Sequence, residues 1–354
     1  MSFDHLCISP ETPLFDVLKT MDKEDVKLLM VREVKQFISI VSIGDVQRAI
    51  LQNKSLQTEV ESILRSNITV AHIDDQLEDW KKIILEKRLE YLPFIDDARK
   101  IVKVVFWKDI TSEEREASDK LKDIPVVIMA GGQGSRLKPI TNIIPKALVP
   151  LGEKPIIQII IEKFIAFGCK TFFISVNYKG EMIEDYLKKQ GLDCEFHFYS
   201  EDQPMGTSGS LSLIKDQING PFFVSNCDII IDQDFGDVYD YHKKYGNTMT
   251  AIAAMKHFQI HYGIMEVKEN GHLEAIKEKP SYHFRVNAGV YVMNPEIFDF
   301  IPENQFHNIN VLMEDLMKKD KKIGVFPVTE GAWMDIGVWS EYQKTNEIFN
   351  KKMS

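Results

Sequence analysis

An apolar strand that breaks into glycines constrains this chain more than any other stretch. Val126–Met129 is rich in β-branched residues and predicts a buried strand, and it gives way at once to Ala130-Gly131-Gly132-Gln133-Gly134-Ser135-Arg136. Glycine has no Cβ, so main-chain N–H groups can turn toward one point, and such a concave nest attracts anions. Arg136, Lys138 and Lys146 add positive charge within the same short segment. Together these residues describe a cradle for phosphates. A P-loop is excluded, because no Lys-Ser or Lys-Thr follows the glycines at its spacing. A dinucleotide fingerprint is excluded as well, since Leu137 stands where its third glycine belongs.

The charge balance narrows the use of such a cradle. The 354 residues hold 43 Lys and Arg against 53 Asp and Glu, a net charge of −10. The basic residues are spread along the chain, which argues against nucleic acid as a partner. An acidic protein that handles phosphates needs a local basic pocket and a metal ion. No run of about 18 apolar residues exists to span a membrane, and the opening MSFDHLCISPETPLFD lacks a basic stretch followed by an apolar core. Cys7, Cys169, Cys194 and Cys227 show no CxxC spacing and read as reduced thiols, not as staples or zinc ligands. The expectation is a cytoplasmic protein without a membrane partner.

Residues 1–118 read as an internal repeat. Leu14-Phe15-Asp16-Val17-Leu18 is echoed by Leu77-Glu78-Asp79-Trp80-Lys81, and the apolar run 27–31 by 90–95. Ile40-Val41-Ser42-Ile43-Gly44-Asp45-Val46 is echoed by Val104-Val105-Phe106-Trp107-Lys108-Asp109-Ile110. An α+β unit used twice predicts two copies packed face to face, because one copy alone cannot cover its sheet. Ser42 and Asp45 have the residue types of a helix cap. The pattern resembles a tandem pair of cystathionine β-synthase (CBS) repeats, a Bateman module. That resemblance implies that Ser42 and Asp45 hold the phosphate and ribose of an adenine or guanine nucleotide, while the second copy keeps Asp109 but has Phe106 at the hydroxyl position. A structural, homodimer-forming or substrate-capping module is the favoured reading of residues 1–118, with a nucleotide sensor as the alternative.

The charged run Glu113-Glu114-Arg115-Glu116-Ala117-Ser118-Asp119-Lys120 predicts a linker, bounded at 119–124. Residues 125–354 form the second domain, where strand-like and helix-like segments alternate as in a mainly parallel sheet covered on both faces. Ligands of such sheets bind beyond the strand carboxyl ends. Three segments stand at such ends: the loop 200–209, Asn226-Cys227-Asp228, and Trp333-Met334-Asp335-Ile336-Gly337. Magnesium takes one or two carboxylates plus phosphates and water, which suits Asp228 and Asp335, whereas the thiol of Cys227 is too soft.

Residues 131–155 match GGxGTRLxPxTxxxPKPLxPxxxKP, the signature of sugar-1-phosphate nucleotidylyltransferases, with Ser135 for threonine and Ala147 for proline. The chain resembles that family from 125 to about 348. The resemblance implies a Rossmann-like, GT-A-like α/β catalytic domain and the Mg2+-dependent transfer of a nucleoside monophosphate from an NTP to a sugar 1-phosphate, with loss of pyrophosphate. It implies catalytic roles for Arg136, Lys146, Asp228 and Lys279, with Mg2+ held by Asp228 and Asp335. Ala130, Gly131, Gly132, Gly134 and Ser135 would hold the phosphates, and Glu201, Gly206 and Thr207 would border the base. Gly263, Glu278, Asn287 and Gly289 would line the sugar pocket. A CBS pair ahead of a short catalytic domain is similar to the glucosamine-1-phosphate guanylyltransferases of legionaminic acid pathways, which implies GTP and glucosamine 1-phosphate. Mannose or heptose 1-phosphate, uridylyl or cytidylyl transfer, and a non-catalytic nucleotide-sensing subunit are the alternatives.

Overall fold

The computed structural model describes residues 3–24, 26–66, 68–75, 80, 91–106 and 119–353. The chain divides into two units, Met1–Arg115 and Glu116–Ser354. No helix among the described residues is long and apolar enough to cross a membrane.

In the first unit, the helix Leu14–Glu24 buries Leu14, Val17, Leu18 and Met21, a stripe at helical spacing. Strand β1 (Cys7–Ile8) lies parallel to β2 (Leu28–Glu33), which pairs antiparallel with β3 (Gln36–Ser42). The second sheet repeats this order: β4 (Ala71–His72) is parallel to β5 (Tyr91–Ile95), and β5 is antiparallel to β6 (Ile101–Phe106). Leu28, Met30, Phe37 and Ile40 share one core with Tyr91, Ile95 and Ile101. Each sheet therefore covers the apolar face that the other cannot leave in water. Hydrogen bonds lock the copies: Tyr91 donates its hydroxyl to the Leu28 carbonyl at 2.6 Å, Phe37 N–H donates to the Arg99 carbonyl at 2.8 Å, and the Arg99 guanidinium donates to the carbonyls of Phe37 and Ile38 at 3.1 and 3.2 Å. Phe106 packs its ring 5.5 Å from that of Tyr91 and serves as core filler. The echo at 77–81, Trp80 excepted, and Asp109 lie outside the described residues.

The second unit is built on a seven-stranded sheet, outside which the short strands β8 (Pro150–Leu151) and β9 (Lys154–Pro155) pair with each other. Strand β7 (Val126–Met129) lies between β10 (Thr171–Val176) and β12 (Phe222–Asn226), parallel to both, and β11 (Glu195–Ser200) extends the parallel set beyond β10. On the other side β17 (Ser281–Met293) runs antiparallel to β12 and to β14 (Met249–Gln259), and β18 (Ile323–Val328) is parallel to β14. The result is the mainly parallel mixed α/β sheet expected from the alternation of segments. Val126 and Ile128 enter one core, with the helix Ile156–Ile165 and the rings of Phe164, Phe223 and Phe235. Val127 enters the other, with Leu312 and Leu316 of the helix Ile309–Lys318. Period-two alternation thus fills both faces with apolar side chains, which is why these strands read as continuous hydrophobic runs.

Within 119–124, Asp119–Leu121 is a 3-10 turn, and Leu121 is fully buried in the core that holds Val126 and Ile128. The loop 200–209 ends in a short α-turn, Gly206–Gly209, followed by a 3-10 stretch, Ser210–Gln217. Its serines bond back to carbonyls, Ser212 to Gly209 at 2.7 Å and Ser210 to Gly206 at 3.4 Å, which competes with regular α-helix pairing.

Candidate active site

Two neighbouring parallel strands set the site. Asn226 is in register with Met129, so the residues that follow β12 emerge beside those that follow β7. Strand β13 (Ile229–Ile231) then pairs antiparallel with β19 (Trp333–Asp335), placing Ile229 opposite Asp335, and Ile336 N–H donates to the Asp228 carbonyl at 2.9 Å. A ladder between segments far apart in sequence therefore carries both aspartates to one place. The side chain of Lys146 arrives there from the turn Lys146–Leu148 and forms an ion pair with Asp228. Gly337 marks the meeting point. A Cβ built on it would strike Asp228 Oδ2 and stand 3.0 Å from Asp335 Oδ1 and 3.2 Å from Lys146 Nζ.

The glycine segment keeps the N–H groups that such a nest would use. Among the described residues, no backbone hydrogen bond consumes the N–H groups of Gly131 through Arg136. Gly134 lies in the left-handed region at φ 64°, and a Cβ there would come within 2.9 Å of Lys146 Cβ and 2.8 Å of Thr141 Cγ2. Only glycine lets the loop turn there and pack on the lysine stem. Thr141 donates its hydroxyl to the Gly134 carbonyl at 2.9 Å, and Lys179 donates to the carbonyls of Asn142 and Ile143 at 2.6 and 2.7 Å. Arg136, Ser135 and Gly132 are exposed, as groups that meet a ligand from solvent must be. Ala130 does not belong to the nest. Its N–H donates to the Ser175 carbonyl at 2.8 Å, because the β7–β10 ladder continues one residue further than the strand itself.

The loop 200–209 is held by the protein's own groups. Glu201 is buried; its carboxylate accepts from Ser175 Oγ at 2.5 Å and from Met205 N–H at 3.1 Å, and Asn177 donates to its carbonyl at 2.6 Å. A buried carboxylate needs donors, and these two tie the loop to the strand that carries Ser175. Gly206, at φ 77°, leaves room for the His307 carbonyl, which would lie 2.6 Å from a Cβ there. Thr207 Oγ1 accepts from Ile309 N–H at 3.0 Å and so caps the helix Ile309–Lys318, whose own first residue supplies no side-chain cap.

The residues expected around a sugar fall into two groups. Asn287 accepts from Gly289 N–H at 3.1 Å, and a Cβ on Gly289 would stand 2.7 Å from Asn226 Nδ2, next to Asp228. Gly263 and Glu278 face each other at the base of the hairpin β15 (Ile264–Val267) and β16 (Leu273–Lys277), with Glu278 Oε2 3.0 Å from the Cβ position of Gly263. Lys279 Nζ stands 3.9 Å from Glu278 Oε1, and both side chains are exposed. No hydrogen bond or ion pair between described residues joins this second group to the Asp228 cluster.

Two hard carboxylate oxygens converging beside a phosphate nest fit a magnesium ion, which draws its other ligands from phosphate and water. Among the described residues no group of three or more His, Cys, Asp or Glu gathers as a metal cage. Cys227 is no competitor, since burial pushes its thiol up to about 12 and keeps it neutral. Gly337, Thr141 and Ser175 are supporting residues to which the motifs assigned no role, although Gly337 and Thr141 stand at fixed letters of those motifs.

In the first unit Ser42 and Asp45 form a capping box on the helix Ile43–Leu51. Asp45 Oδ2 accepts from Ser42 N–H at 2.9 Å and Ser42 Oγ at 2.7 Å, and Oδ1 is paired with Arg65 Nε at 2.8 Å and with Arg48. A carboxylate has about four acceptor sites. All are taken, which leaves none for a ribose.

A family model described as "Nucleotidyl transferase" matches residues 125–352, and one described as "CBS domain" matches residues 1–52. The mannose-1-phosphate guanyltransferase of Saccharomyces cerevisiae is 34% identical over 220 residues, 60% of each chain. The catalytic subunit beta of mannose-1-phosphate guanylyltransferase from Drosophila melanogaster is 34% identical over 218 residues, 60% of this chain and 58% of the relative. The chain thus spans about three fifths of the length of the curated relatives it matches. The crystal structure of HddC from Yersinia pseudotuberculosis superposes with a TM-score of 0.52 at 25% identity, covering 64% of this chain and 99% of that one. With a match over residues 125–352, a glycine segment whose N–H groups have no backbone partner and two converging carboxylates, this chain belongs to the nucleotidyl transferase family and carries a CBS domain at its N-terminus.

Proposed function

We propose that the chain transfers a nucleoside monophosphate, GMP from GTP, to a sugar 1-phosphate. The observation that carries this reading is the convergence of Asp228, Asp335 and Lys146 at Gly337 beside the N–H nest. A phosphate oxygen of the sugar 1-phosphate attacks the α-phosphorus in line, the bond from that phosphorus to the bridging oxygen of the β-phosphate breaks, and pyrophosphate leaves. The attacking group is already an anion at neutral pH, so no protein nucleophile is needed. The obstacle is repulsion between two anions, which fixed positive groups remove while holding the partners at about 3 Å. The nest from Gly131 to Arg136 would hold the β- and γ-phosphates, with the Arg136 side chain on the departing pyrophosphate. Lys146 would neutralise the α-phosphate and Lys279 the incoming phosphate. Asp228 and Asp335 would hold Mg2+, which when bound supplies charge neutralisation at the reacting phosphate.

The names of the relatives support guanylyl transfer and mannose 1-phosphate as acceptor. The order of a CBS module ahead of the catalytic unit supports glucosamine 1-phosphate as the second acceptor to test. Incubating the full chain with each of four NTPs against mannose, glucosamine, glucose and heptose 1-phosphates, scored by Mg2+-dependent pyrophosphate release, decides among them. Release with GTP and one acceptor is expected. Silence with every pair would overturn the catalytic reading in favour of a nucleotide-sensing subunit.

A further inference from the structure

The stem of Lys146 is fixed on one side and its ammonium is engaged on the other. Its Cβ and Cγ lie 2.9 and 3.3 Å from the Cβ position of Gly134, so the chain leaves the backbone against the phosphate nest. Its Nζ pairs with Asp228, with only 12% of the lysine side chain and 10% of the aspartate exposed. The point beside Gly337 that touches Asp228 is also 3.0 Å from Asp335 Oδ1 and 3.2 Å from Lys146 Nζ. One fixed positive charge therefore sits at the mouth of a two-carboxylate site and offsets one of its two negative charges. A divalent cation on the same oxygens, at about 2.0–2.1 Å, would share this poorly hydrated space with the ammonium, and like charges there repel strongly. The two cations exclude each other unless the lysine finds a different anion. Because its stem rests on the nest, the anion within its reach is a phosphate held there.

We propose that Lys146 is a built-in counter-ion that occupies Asp228 until a nucleoside triphosphate draws the ammonium away, so that nucleotide and divalent metal bind with positive coupling. This rests on the assignment of Asp228 and Asp335 as metal carboxylates. With one of the two charges offset, the repulsion between the loops at β12 and β19 is reduced while the nest holds no phosphate. The exchange of partners then delivers the metal only when there is a phosphate for it to act on. By linkage, metal tightens nucleotide by the same factor that nucleotide tightens metal.

The test uses the full chain and Mn2+ alone, followed by the loss of the free-ion electron paramagnetic resonance signal. Lys146→Met and Lys146→Gln are expected to bind Mn2+ at least tenfold more tightly than the natural chain, and Lys146→Arg no more tightly. In thermal unfolding, the two neutral variants are expected to melt earlier without metal and to recover with Mn2+. Neutral variants that bind Mn2+ no better than the natural chain overturn the proposal. Asp228→Asn separates the two layers of the argument. If it abolishes Mn2+ binding while the lysine variants change nothing, the counter-ion role alone falls. If Asp228→Asn binds Mn2+ as the natural chain does, the metal assignment falls and the counter-ion role with it.

Discussion

Replacing Gly337 by alanine would put one methyl group at the point where the site converges. Gly337 does not occupy the left-handed region, so alanine adds no backbone strain, and the whole effect comes from contact. The new carbon would overlap Asp228 Oδ2 and press on Asp335 Oδ1 at 3.0 Å and on Lys146 Nζ at 3.2 Å. Relief to an ordinary van der Waals separation requires the carboxylates to part by roughly 0.5–1 Å, and overpacking of this kind costs about 1–3 kcal/mol of stability. A misplacement of about 1 Å at a reacting centre costs roughly 10²-fold in rate, equivalent to about 2.7 kcal/mol of barrier. The expected outcome is a fall in kcat/KM of two orders of magnitude or more, with a folded protein. The assay is pyrophosphate release with GTP and the acceptor found in the panel, run beside thermal unfolding. A Gly337→Ala variant with kcat/KM within about threefold of the natural chain and an unchanged midpoint would refute the convergence of the three charged groups.

Three further outcomes are expected. Asp228→Asn and Asp335→Asn should each lower kcat by roughly 10²–10³-fold or more while leaving the fold intact, and the double variant should lose little beyond the worse single one, because residues that act as one unit are not additive; steady-state kinetics on the three proteins checks this. Thr207→Val should remove the cap on Ile309 N–H, cost about 1 kcal/mol and lower the melting midpoint by roughly 2–4 °C for a unit of this size, without raising KM for the nucleotide; a large rise in KM would assign Thr207 to the ligand instead. His242 is buried with Nδ1 2.9 Å from Thr250 Oγ1 and Nε2 3.2 Å from Asn294 Oδ1, and burial, partly offset by Asn294, holds its pKa below the ordinary 6.5. The unfolded chain therefore binds a proton that the folded one excludes. Its contribution to stability is complete above about pH 6.5 and is lost as pH falls below it; chemical denaturation of His242→Gln across pH 5–7.5 should show a flatter profile than the natural chain.

Much of the catalytic unit was legible because its signals are local. The glycine run after an apolar strand, the acid after a second apolar strand, and alternating strand and helix segments all follow from the residues in one short window. The repeat in the first unit was legible for the same reason, and the two sheets share strand order and direction. What stayed hidden depends on partners distant in sequence. Glu201 reads as a base contact, and only the fold shows Ser175 and Met205 engaging its oxygens. Thr207 reads as a ligand residue until Ile309 is seen to need it. Asp45 has the letter of a ribose ligand, but Arg65 and Arg48 surround it. Ala130 has the position of a nest residue, but its N–H belongs to the sheet.

From residues alone came the chemistry available: glycines to expose N–H groups, lysines and an arginine for anions, and two aspartates hard enough for magnesium. Only the tertiary structure decided that these groups meet. The antiparallel pairing of β13 with β19 puts Asp335 opposite Ile229, and the parallel register of β7 with β12 puts Asp228 beside the nest. The physical reason is that side-chain chemistry is a property of one residue, whereas a field strong enough to hold a metal and two phosphates is the sum of charges a few ångströms apart. Such proximity is set by strand register between segments that no local pattern relates.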